Sequence, residues 1–66
     1  MGRYNMSPRQ LIQRLKKEGF VFLRQSGSHA IFCNEMKNRK VVVPIHSKNI
    51  PTGTLHAILK DAGIDL

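Results

Sequence analysis

The sequence predicts an α+β fold in the order helix, three antiparallel strands, helix, and three observations predict it. An apolar stripe at helical spacing lies toward each end of the 66 residues, and a glycine closes each stripe. Between them stand three short runs rich in β-branched and aromatic residues, separated by turn signals. A three-stranded sheet cannot bury itself, so both amphipathic helices must cover one of its faces. The other face is left to water or to a partner.

Each element has its own warrant. Ser7 is placed to cap the first helix, Pro8 suits its first position, and Gln10 stands where a capping-box partner belongs. Leu11, Ile12 and Leu15 follow at helical spacing, and Lys16 and Lys17 meet the negative end of the dipole. Gly19 stops the helix, which is expected over about 8–18. Phe20 to Leu23 and His29 to Cys33 read as two strands of a hairpin turning at Ser26-Gly27. Asn34 to Asn38 reads as a polar turn, and Lys40 to Val43 as the third strand, ended by Pro44. A loop over Ile45 to Pro51 leads to Thr52-Gly53-Thr54. Leu55, Ile58, Leu59 and Ala62 then mark the second helix, with Gly63 as its stop and Ile64 set for the accompanying apolar contact. No repeat or linker interrupts the chain, so 1–66 reads as one domain with a loose segment over 1–6.

The hairpin suggests which strand residues are buried. Pairing Arg24 with His29 sets Leu23 opposite Ala30, Phe22 opposite Ile31 and Val21 opposite Phe32. Period-two alternation then groups Val21, Leu23, Ala30 and Phe32 on one face. Burying that set keeps Arg24 and His29 in water and leaves Phe22 and Ile31 half exposed.

Composition narrows the function. Eleven Lys or Arg against four Asp or Glu give a formal net charge of +7. A domain this small buries only roughly 60% of the surface its unfolded chain exposes, so its core is lean. The length excludes barrel and nucleotide-binding enzymes, which need a few times more residues. The 41% hydrophobic content argues against disorder. A single cysteine makes no internal disulfide and supplies no structural zinc site. With no apolar leader and no stretch long enough to span a membrane, the expected setting is reducing and cytoplasmic. Cations at this density displace counterions from phosphate backbones, which points to nucleic acid, although a membrane surface or an acidic protein would be drawn by the same field.

His29 carries the most chemistry. It follows Gly27-Ser28 at the start of a strand, a rigid position on a basic surface. Histidine is the side chain whose ordinary titration lets it both take and give a proton near neutral pH. Cleavage of RNA by its own 2′-hydroxyl needs a proton removed there, a proton delivered to the leaving oxygen, and cations against the phosphorane charge. Taken alone, the same histidine also fits an ordinary surface position.

The run Gly19-Phe20, Arg24-Gln25-Ser26-Gly27-Ser28-His29, Ile31-Phe32, Val41-Val42-Val43-Pro44, Gly53-Thr54-Leu55, Ile58-Leu59-Lys60 and Ala62-Gly63 resembles the HicA family, small toxins of HicA–HicB toxin–antitoxin pairs. The resemblance extends from about Ser7 to Ile64, with every block in order. It implies an α-β-β-β-α fold like that of a double-stranded RNA-binding domain, which agrees with the element order above. It also implies a ribosome-independent mRNA endoribonuclease whose catalytic histidine, in Gly-Ser-His, is His29, and an acidic HicB-type antitoxin as partner. Many members carry a second histidine directly after the first. Here that position is Ala30, and a core-facing Ala30 would make the difference chemically minor.

Other roles follow from physical chemistry. Ser28 could position a phosphate or the imidazole, while Arg24 and Lys48 could neutralise phosphate charge, although exposed cations are common without such a role. His46, two residues past Pro44, could be the complementary acid or base, or could simply bond to loop backbone. His56 flanks the core stripe of the second helix and receives no role. The histidines form no i, i+4 helical pair and have no carboxylate or thiolate cluster nearby, so no metal site and no cofactor are expected. Cys33 reads as a packed thiol. Too few aromatics interleave with basic residues for a stacking single-strand reader. Lys16, Lys17, Lys37, Arg39, Lys40 and Lys60 could serve backbone contacts to structured RNA. A non-catalytic basic RNA-binding module, needing the same cations but not His29, is the alternative function, and a protein-docking domain using Phe22 and Ile31 is a third.

Overall fold

The computed structural model describes residues 6–46 and 48–64; most of the loose segment expected over 1–6 lies outside them. The element order is α1 (Pro8–Lys17), β1 (Val21–Ser26), β2 (His29–Asn34), β3 (Arg39–Pro44) and α2 (Thr52–Ala62), the α+β order expected. The strands form one antiparallel sheet in the order β1-β2-β3, so β2 is central and both neighbours are edges. No helix among the described residues is long and apolar enough to cross a membrane.

Both helices owe their ends to local chemistry. The Ser7 hydroxyl accepts from the Gln10 amide N–H at 3.2 Å, and the Gln10 side chain accepts from the Ser7 N–H at 3.0 Å, closing a capping box. At the other end Gly19 has φ 96°, its N–H donates to the Lys16 carbonyl, and Phe20 N–H donates to Leu15 at 2.9 Å. Gly63, with φ 71°, ends α2 in the same way, with Ile64 N–H on the Leu59 carbonyl at 2.9 Å. These are paired Schellman motifs. Each delivers the following apolar residue, Phe20 or Ile64, into the core. Phe20 therefore belongs to the helix stop and not to the strand in which the sequence reading placed it.

The helix-facing side of the sheet presents Ala30 and Phe32 from β2 and Val41 and Val43 from β3. Leu11 and Leu15 of α1 and Leu55, Ile58, Leu59 and Ala62 of α2 pack over them. Full burial of each leucine stabilises the fold by about 1.5–3 kcal/mol.

The expected hairpin pairing is not the one observed. Ser26 pairs with His29, Gln25 with Ala30 and Arg24 with Ile31; a bulge at Leu23 then shifts the register so that Phe22 meets Phe32 and Val21 meets Cys33. The two-residue loop is Gly27-Ser28, one position later than expected, and the bulge reverses the facing of the strand's first half. Val21 and Leu23, assigned to the core, are exposed, as is every residue of β1. The cause is the placement of the helices, which both pack on β3 and leave the far edge uncovered. Phe22 keeps apolar contact through an edge-on approach to Phe32, with ring centroids 5.7 Å apart.

Asn34, expected in a turn, is the last residue of β2 and is buried. Its Nδ2 donates to the Glu18 carbonyl at 3.1 Å, and its Oδ1 accepts from Lys37 N–H at 3.1 Å. One side chain thus ties the end of α1 to the β2–β3 turn.

Candidate nucleic-acid interface

The site is built on the β1–β2 hairpin. Gly27 fills the first loop position with φ 58°, where a two-residue hairpin of the II′ kind requires glycine. The Gln25 side-chain amide donates to the Gly27 carbonyl at 3.0 Å and braces the turn. Ser28, half buried, accepts at its carbonyl from Ile45 N–H at 2.8 Å, which carries the β2–β3 ladder one step beyond Pro44. His29 follows as the first residue of β2.

His29 sits opposite Ser26 on one neighbour and Pro44 on the other. Its backbone is therefore held from both sides while its side chain is exposed. Ala30 beside it is 4% exposed and faces the helices, so alternation turns His29 to the open face. A histidine at the position of Ala30 would point beneath the helices, which makes its absence chemically neutral here.

Arg24 is exposed and pairs with Ile31, two residues along β2 from His29. It thus shares the open face with His29 as a diagonal neighbour, a relation that ordinarily spans about 7–8 Å. The sequence reading had the two directly opposite. Ser26 holds that place instead, and sequence reasoning missed it because it spent Ser26 on the turn. His46 lies one residue beyond the Ile45–Ser28 bond and is exposed at the same end of the sheet. Lys48 is exposed farther along this loop. The loop is anchored where Ile50 N–H donates to the Met6 carbonyl at 2.8 Å. The structure thus gathers His29, Ser28 and His46 at one end of the sheet, keeps Arg24 on the same face, and leaves Lys48 on the adjoining loop.

The cations divide by their engagements. Arg14 pairs with Glu18 at 3.2 Å and Lys37 approaches the same carboxylate at 4.0 Å. Arg39 donates to the Asp61 carbonyl at 3.0 Å, against the last turn of α2, and is committed to the fold. Arg9, Lys16, Lys17, Arg24, Lys40, Lys48 and Lys60 are exposed, and among the described residues they make no such bond. Among the described residues, no three His, Cys, Asp or Glu side chains gather into one cluster. Cys33 is half buried in β2.

A comparison with curated proteins finds no match. The family model for the HicA toxin of bacterial toxin–antitoxin systems matches residues 8–64, the whole span from the start of α1 to the residue that follows Gly63. The chain belongs to the HicA toxin family, and is the toxin of a toxin–antitoxin pair whose other member is its cognate antitoxin.

Proposed function

We propose that the toxin acts as an endoribonuclease on mRNA, without the ribosome and without metal or cofactor, with His29 as the group that moves protons. The observation that carries this reading is the placement of His29: an exposed imidazole on a backbone paired with both neighbouring strands, on a face that also carries the exposed Arg24. The substrate's 2′-hydroxyl gives up its proton as its oxygen bonds to the adjacent phosphorus. The bond from phosphorus to the 5′-oxygen breaks, and that oxygen takes a proton, leaving a 2′,3′-cyclic phosphate and a 5′-hydroxyl. His29 serves one or both transfers, and His46, at the same end of the sheet, is the candidate for the other. Arg24 and Lys48 neutralise phosphate charge, and Ser28 positions the phosphate or the imidazole. An acidic antitoxin covers the His29 face, drawn by the +7 charge.

The test is cleavage of a defined RNA by the purified chain in the presence of chelator. Cyclic-phosphate ends from the parent, and fewer by roughly 100-fold or more from His29→Ala, are expected. RNA binding with no cleavage by the parent would identify the non-catalytic binding module instead.

A further inference from the structure

A groove runs along α1, lined by Pro8, Arg9, Ile12, Gln13, Lys16 and Ile45. Arg9, Gln13 and Lys16 are spaced i, i+4 and i+7, so they form one stripe along the helix, and Arg9 and Lys16 stand about 10 Å apart along its axis. All three are exposed, and among the described residues neither cation has an acidic partner. The floor is apolar, made by Ile12 and Ile45, both half buried against the core. Ile45 also connects the groove to the hairpin, because its N–H is bonded to the carbonyl of Ser28, the residue before His29.

From this continuity we infer that the groove is a second RNA-binding subsite, which holds the strand flanking the scissile bond. The inference rests on the RNA-cleaving reading above. The phosphodiester backbone meets Arg9 and Lys16, Gln13 bonds to sugar or base edges, and the apolar floor takes a ribose or base face. The strand then passes over the Ser28–Ile45 end of the sheet to His29. Nucleic acid fits this groove better than a protein strand does, because two cations with no acidic partner among the described residues flank an apolar floor. The cations of the groove differ in kind from Arg14, Lys37 and Arg39, which the fold itself engages.

The test compares two double variants of the whole chain with equal change in charge, Arg9→Gln/Lys16→Gln in the groove and Lys37→Gln/Arg39→Gln at cations the fold itself engages. Binding of a fluorescein-labelled single-stranded RNA is followed by anisotropy through a salt titration, with His29→Ala in every protein to prevent turnover. Loss of two phosphate contacts makes the slope of log K against log salt shallower by about 1.4 in the groove variant. Its affinity falls roughly tenfold at low salt, while the control pair, acting only through the general field, loses about threefold or less. Equal losses in the two variants would overturn the groove and leave the nuclease reading standing. A groove variant that keeps its RNA affinity and loses affinity for the antitoxin would likewise overturn it, as a protein contact. A parent chain that neither binds nor cleaves RNA would overturn both.

Discussion

The Ile45 amide N–H donates to the Ser28 carbonyl at 2.8 Å, and this bond joins the end of β3 to the residue before His29. It prolongs the ladder past Pro44, which itself lies opposite His29 and has no N–H of its own to give. The hairpin tip is thereby held by the neighbouring strand as well as by its own turn. The backbone that carries the imidazole is thereby fixed, which suits a group that must meet a phosphodiester in one geometry.

The turn itself provides a first test. Gly27 has φ 58° and open space where a side chain would project, so Gly27→Ala suffers backbone strain without a clash. A loss of about 1 kcal/mol is expected, with Gly27→Asn milder because asparagine tolerates positive φ. Urea denaturation of the two variants measures the difference.

Asn34→Ala leaves the Glu18 carbonyl and the Lys37 N–H without their side-chain partner at a buried position. The expected cost is about 1–3 kcal/mol, a large share of the stability of so small a domain. Thermal unfolding should show a drop of several degrees. Gly19→Ala should be costly too, because φ is 96° there and the added Cβ would lie 3.1 Å from Asn34 Nδ2.

Arg39 separates a structural cation from a phosphate-binding one. Its guanidinium caps α2 at the Asp61 carbonyl, so Arg39→Gln should cost about 0.3–1 kcal/mol of stability. RNA affinity should fall no further than the loss of one distant charge implies. Paired denaturation and RNA-binding measurements check both halves.

The uncovered edge makes a prediction about behaviour in the absence of partner. Val21, Phe22 and Leu23 are 58%, 53% and 48% exposed on an edge strand, a hazard for edge-to-edge association. Leu23→Lys should reduce aggregation of the isolated chain in light scattering and leave its unfolding midpoint nearly unchanged.

The parts of the fold legible in the sequence were those set by nearest neighbours. Ser7-Pro8 with Gln10 announced the start of α1, and Gly19 and Gly63 announced both stops, because capping is decided within a few residues. The facing of β1 was not legible. Phe20 to Leu23 is apolar at every position, so alternation cannot choose a face, and one bulge at Leu23 decided the matter through pairing with β2. Asn34 and Arg39 were read by type, as turn and surface residues, whereas partners far along the chain fixed their roles. His29 stands out in the sequence because it follows Gly27-Ser28 at a strand start, and its role as the proton-moving group comes from the family resemblance. Its cross-strand neighbour Ser26 was hidden by the same one-residue error in placing that turn.

The most direct test of the proposed chemistry is the rate at which His29→Ala cleaves a defined RNA in chelator, beside a parent preparation of equal purity. His29→Ala should keep the parent's unfolding midpoint and RNA affinity and lose cleavage by roughly 100-fold or more, the scale of one general acid–base group. Cleavage by His29→Ala at the parent's rate would contradict the account.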